Sequence, residues 1–139
     1  MDLFDAFGRM VGALPTVAAH FLIALATWAL AIAIMLRFTP ADEIKLIRAG
    51  NAASAVWAGG AVIAMALPIA AAMKYSGGAY EVAAWSALAA AIQLIAYLVA
   101  CRVTGKTREK LESGDMASAL FVAAIQLAVA LITAAALSG

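Results

Sequence analysis

Charge is the first thing this sequence lacks. Only 12% of its 139 residues are Asp, Glu, Lys or Arg, where a soluble domain carries roughly a quarter. The net charge of +1 offers nothing to a nucleic-acid backbone. Cysteine occurs once, at Cys101, which excludes an intrachain disulfide and any cysteine-based metal site. Near the end of a long apolar run it reads as a small apolar side chain. Histidine also occurs once, at His20, too few for a metal site unless subunits combine. The chain has no Gly-x-Ser-x-Gly, no His-Glu-x-x-His, no phosphate-cradling loop and no carboxylate pair inside an apolar run. It is therefore expected not to be an enzyme and to need no cofactor. Residues Met1–Gly8 hold Asp2 and Asp5 and no base, the reverse of the basic start of a cleavable signal peptide.

What is abundant is apolar sequence, 67% of the chain at a mean hydropathy of +1.02. The charges cluster and leave four runs: Thr16–Leu36, Ala52–Met73, Val82–Val103 and Ala117–Leu137. A helix of about 20 residues matches the roughly 30 Å hydrocarbon core. The expectation is an all-α membrane protein of four transmembrane helices in one domain over residues 1–139, with the lipid bilayer as its first partner. The connections after the first and third runs hold Arg37, Lys45, Arg48, Arg102, Lys106, Arg108 and Lys110, seven of the nine bases. Only Arg9 and Lys74 lie on the other side. Bases collect on the cytoplasmic face, so this split places both basic loops in the cytoplasm and both termini in the periplasm of a bacterial inner membrane.

Two shorter helices are expected. In Thr39-Pro40-Ala41-Asp42-Glu43, Thr39 can cap, Pro40 suits the first helical position, and the acids favour the positive end of the dipole. Ile44, Leu46 and Ile47 then make a short amphipathic helix at the cytoplasmic interface. Glu43 and Glu109 are expected to face the cytoplasm. Leu3, Phe4, Phe7, Met10, Val11 and Leu14 are also helically spaced, which reads as a short interfacial helix outside the first span. A longer first helix is the alternative.

Gly50-Asn51-Ala52-Ala53-Ser54-Ala55 matches Gly114-Asp115-Met116-Ala117-Ser118-Ala119 at an offset of 64 residues, and Trp57 then meets Phe121. Each match follows a charged loop and opens a span. The pattern predicts two tandem, parallel two-helix hairpins, about 16–74 and about 80–138, related by a pseudo-twofold along the membrane normal.

Thr39-Pro40, Glu43, Leu46-Ile47 and Gly50 to Ala55, followed by Gly59-Gly60 and Pro68, resemble the YjfL-like family of small bacterial inner-membrane proteins, catalogued as domain of unknown function 350. The second Gly-polar-x-Ala string and Ile92-Gln93-Leu94 add to the likeness, which covers nearly all of the chain beyond its N-terminal segment. Asp115 departs from it, since the second copy more often carries Asn. The resemblance implies four spans, a plasma-membrane address and a loose association with envelope-stress and polyamine-related gene neighbourhoods. It implies no known activity.

In hydrocarbon a polar side chain needs a partner, so its place on the helix wheel matters. Asp115, Ser118, Gln126 and Thr133 share a face of the fourth span, and Ser86, Gln93, Tyr97 and Thr104 share one of the third. Thr16, His20 and Thr27 share one of the first. The second span carries a small-residue stripe of Ala53, Gly60, Ala64 and Ala71, of the kind that lets backbones approach. On this pattern Gly60→Leu should disrupt packing and Gly60→Ala should be mild. The positions singled out are Asn51, Asp115, Gln93, Gln126, His20, Ser54 and Ser118 for polar roles, and Gly59, Gly60 and Pro68 for helix packing. Asn51 and Asp115 read first as helix caps, Gln93 and Gln126 as hydrogen-bonding glue, His20 as a partnered side chain, and Pro68 as a kink. The function expected is an oligomeric or partner-binding membrane subunit linked to the envelope. The alternative is an oligomeric channel or transporter whose path is lined by the polar stripes of the third and fourth spans.

Overall fold

The computed structural model describes residues 2–139; residue 1 lies outside the described part. The chain runs α1 (Leu3–Phe38), α2 (Glu43–Arg48), α3 (Ala52–Tyr75), α4 (Ala79–Thr104), α5 (Thr107–Glu112) and α6 (Met116–Ser138). Four of these, α1, α3, α4 and α6, are long and apolar enough to cross a membrane. The short α2 and α5 lie together at one end of the bundle, where α1 and α4 finish and α3 and α6 begin.

The local reasons are visible at the boundaries. Gly50 and Gly114 turn the chain at φ of 86° and 73°, backbone that side chains other than glycine rarely adopt. The next residue caps the following helix. Asn51 Oδ1 accepts from the Ser54 amide at 2.9 Å, and Asp115 Oδ1 accepts from the Ser118 amide at 3.1 Å. The backbone bonds keep the same 64-residue spacing: Asn51 N–H donates to the Leu46 carbonyl at 3.0 Å, and Asp115 N–H to the Lys110 carbonyl at 2.9 Å.

Packing is tightest between α3 and α6. An added Cβ on Gly60 would meet the Cβ of Ala123 at 2.5 Å and its Cα at 2.9 Å. Even alanine does not fit there without movement of the facing backbone, so Gly60→Ala is not mild. Gly59 has open space where a Cβ would go, so of the two glycines only Gly60 belongs to the helix interface. Ala53, Ala61 and Ala64 are buried on the same helix, as is Pro68, inside α3.

Four expectations are corrected. The N-terminal interfacial helix is not separate: α1 is one helix of 36 residues with Pro15 inside it. Neither Thr39 nor Pro40 starts α2. Asp42 caps it, accepting from the Lys45 amide at 3.0 Å, while Thr39 ends α1 with its amide bonded to the Met35 carbonyl. The basic loop after α4 holds a helix of its own, α5, which its run of exposed charges concealed. The Glu43 side chain is not solvated as a loop glutamate would be; it is 1% exposed, turned into the bundle.

The length of α1 has a consequence. The Trp28 indole N–H donates to the Val62 carbonyl at 3.1 Å, setting these two residues level on antiparallel helices. Tyr75, the end of α3, is thirteen residues beyond Val62, and thirteen residues back from Trp28 is Pro15. The helix therefore leaves the bundle at Pro15, whose missing N–H leaves the Val11 carbonyl without an intrahelical partner. Residues 3–14 continue for about 18 Å beyond it.

Candidate functional site

At the end where α2 and α5 lie, three side chains, from the residue that ends α1, from α2 and from α3, converge on one phenol of α4. Tyr97, near the last turns of α4, is 1% exposed. Its hydroxyl lies 2.6 Å from Thr39 Oγ1, accepts from the Trp57 indole N–H at 3.1 Å and lies 3.3 Å from Glu43 Oε1. Thr39 Oγ1 in turn donates to the Met35 carbonyl at 3.2 Å. Met35, Ala53, Trp57, Ala61, Tyr97, Ala100 and Leu111 form the apolar shell around this network.

Glu43 comes from α2, outside the membrane-spanning segments, and is turned inward. Its Oε2 has no hydrogen-bond partner among the described residues. Among the described residues no salt bridge reaches it: the two there are, Lys106 with Glu109 and Arg108 with Glu112, join exposed side chains on α5 and its cap. Burial pushes its carboxyl up to about 7, against a smaller opposite pull from the Tyr97 hydroxyl.

The polar stripe of α4 continues inward from Tyr97. Gln93 and Ser86 are both 0% exposed. Gln93 Nε2 donates to the main-chain carbonyl of Gln126 at 3.2 Å. Gln93 Oε1, Gln126 Nε2, Ser86 Oγ and Ser54 Oγ are buried without partners among the described residues. The Gln93 bond has a counterpart in the first half, since Trp28 on α1 donates to the carbonyl of Val62, 64 residues before Gln126. In each half, then, a polar side chain on the first long helix donates to the same carbonyl position of the second.

Other singled-out residues sit elsewhere. Asn51 Nδ2 donates to the Leu111 carbonyl at 2.6 Å, tying α3 to α5. Asp115 has no donor to make the reciprocal bond; it instead accepts the Ser118 hydroxyl at 2.8 Å. The Ser118 amide, then its hydroxyl, hold the Asp115 carboxyl below the ordinary carboxylate range. His20 is half-buried on α1, far from Tyr97 along the helix. Among the described residues no three His, Cys, Asp or Glu side chains gather as they would to hold a metal.

Reading along the chain missed Glu43 because a glutamate in a charged loop is ordinarily solvated. Tyr97 was on the right face, one turn past Gln93. The available signal was asymmetry between the halves: at the 64-residue offset Glu43 corresponds to Thr107 and Trp57 to Phe121. Trp57 is 0% exposed, whereas Phe121 is 52% exposed. The caps and turns at the bundle end recur at this offset, but only the first copy of the pattern comes with the carboxylate and the indole.

Neither a curated protein nor a solved structure matches the chain. A family model does, described as Domain of Unknown Function (DUF350), and its match over residues 9–137 takes in all four long helices apart from the first turns of α1 and the last residue of α6. With that extent covered, the chain belongs to the DUF350 family.

Proposed function

We propose that this protein is a non-enzymatic subunit of the bacterial inner membrane that works in assembly with copies of itself, its α2/α5 end cytoplasmic and both termini periplasmic. The observation that carries the reading is the N-terminal arm of α1. Leu3, Phe4, Phe7, Met10, Val11 and Leu14 are all exposed, on a helix about 54 Å long at 1.5 Å per residue. A hydrocarbon core of roughly 30 Å does not cover that length, so part of this apolar stripe needs another surface, and a second copy brings the same surface.

The 64-residue correspondence in caps, turns and the acceptor carbonyls of Val62 and Gln126 supports two tandem hairpins descended from one. The distribution of bases supports the orientation. The alternative, a path between subunits lined by the stripes of α4 and α6, is weakened by their burial. Gln93, Gln126, Ser86 and Thr133 all point into the bundle of one chain.

Native mass spectrometry of the full chain in lipid nanodiscs, beside a variant lacking residues 2–14, tests the reading. Oligomers for the full chain and monomers for the truncation are expected. Monomers in both would remove the assembly role, and co-purification with a different membrane protein through the same arm would replace self-assembly by a hetero-complex. Reporter fusions at Gly139 that are active only in the periplasm test the orientation.

A further inference from the structure

We infer that Glu43 is a proton-binding site: its carboxyl group holds an exchangeable proton that completes a hydrogen-bond chain through Tyr97 and Thr39, and this proton fastens α2 to the bundle.

The number of hydrogens available to these contacts decides the protonation state. The Met35 carbonyl can only accept, so the 3.2 Å contact uses the single hydrogen of the Thr39 hydroxyl. The 2.6 Å contact between Thr39 and Tyr97 must then use the hydrogen of Tyr97. Trp57 Nε1 is a donor only, so its 3.1 Å contact places a hydrogen on the Tyr97 oxygen. No hydrogen remains for the 3.3 Å contact between Tyr97 and Glu43 Oε1 unless the glutamate brings it. With a neutral Glu43 donating to Tyr97, all four contacts are hydrogen bonds at once. With an ionised Glu43, Tyr97 must turn its hydrogen to the carboxylate, and one of the two Thr39 contacts is lost.

The surroundings agree with the count. Facing groups that titrate are Tyr97 and Cys101, both on α4. On α2 itself Asp42, Lys45 and Arg48 are exposed, as is Arg37 on α1. At α5, Lys106 just before the helix and Arg108 on it engage its own acids, and Lys110 donates to the Thr104 carbonyl. The only ionisable residue beginning α6 is Asp115, bound to Ser118; α3 brings none to this level, Lys74 being at its far end. A buried carboxylate with one long hydrogen bond and no cation is costly, and the neutral acid avoids that cost. Burial also sets the proton's release near neutrality. On release, the charge can regain water only if α2 moves outward, which couples the protonation of one residue to the position of the helix that bears it.

The test is infrared spectroscopy of the full chain in nanodiscs, made with isotope-labelled glutamate and titrated about two pH units either side of neutrality. Wild type is expected to show an isotope-sensitive carboxylic-acid band just below neutral pH, lost by at least tenfold at the alkaline end and absent from Glu43→Gln. If Glu43→Gln does not fold, a variant with Glu81, Glu109 and Glu112 all changed to glutamine should keep the whole band. A wild-type spectrum without the band, or a band removed by those three changes, would overturn the assignment. So would a bandless spectrum joined to a rise in melting temperature when sodium replaces choline at constant ionic strength, because the carboxylate would then be holding a monovalent cation.

Discussion

Asn51 and Asp115 make the same cap, but only Asn51 fastens one half of the chain to the other. Each accepts the amide of the serine three residues on. Asn51 also donates to the carbonyl of Leu111, whereas the equivalent carbonyl, that of Ile47, receives nothing from the acceptor-only Asp115. Asp115→Asn keeps the acceptor and adds the missing donor, so it is expected to hold or raise the melting temperature. Asp115→Ala removes the cap and should lower it. Thermal melts in one detergent check the ordering; a folded Asp115→Asn protein that had lost its function would show that the charge does more than cap.

Adjacent glycines should respond in opposite directions. Gly60→Ala drives a methyl group into Ala123 across the α3/α6 seam, and overpacking of this kind costs about 1–3 kcal/mol. Gly59→Ala meets nothing and should stabilise α3 by up to about 1 kcal/mol. Equal effects from the two changes would mean that the seam is not where the structure places it.

Stability should fall as pH rises through the mildly acidic range. Glu43 is held at about 7 in the folded chain, above its value in an unfolded one, so the folded state binds the extra proton. Its contribution is complete below the unfolded value of about 4.3 and is lost as pH rises to 7, at about 1.4 kcal/mol per unit. Chemical or thermal unfolding across that window should show the slope in wild type and a flat profile in Glu43→Gln. Tyr97→Phe leaves the Trp57 indole and Glu43 without a shared partner. That change should cost about 1–3 kcal/mol.

The two glutamines carry different burdens. Gln93 makes a hydrogen bond to the Gln126 main chain, whereas the Gln126 amide nitrogen has no partner among the described residues. Gln126→Leu removes an unsatisfied donor while sparing the main-chain acceptor, so its effect on stability should lie within about 1 kcal/mol of neutral. A loss well beyond that would reveal water bridging Gln126 to Gln93 Oε1.

Much of this architecture was legible because hydrocarbon imposes simple demands. The four long helices follow from apolar run length, and the caps at Asn51 and Asp115 from a polar residue after a glycine at the head of each run. The inward faces of Ser86, Gln93, Tyr97 and Gln126 follow from the cost of exposing amides and hydroxyls to lipid. Glu43 was not legible, since its burial depends on how α2 packs against α3 and α5 and brings Glu43 to Tyr97, a tertiary fact that no local period encodes. Likewise Gly59 and Gly60 look alike in sequence, and only the crossing of α3 with α6 separates them. The continuity of α1 through Pro15 reflects the tolerance of long apolar helices for one missing hydrogen bond.

The assembly role of the α1 arm is open to one direct measurement. Cysteine placed at Phe7, which is 61% exposed on the arm, in a Cys101→Ser background gives a chain with a single thiol. Oxidation in native membranes should yield a species of twice the chain's mass at Phe7→Cys, and none when the cysteine is placed at buried Ala61. A chain that stays monomeric under oxidation with cysteine at Phe7, and at each of Leu3, Met10 and Leu14 in turn, would contradict self-assembly through this helix.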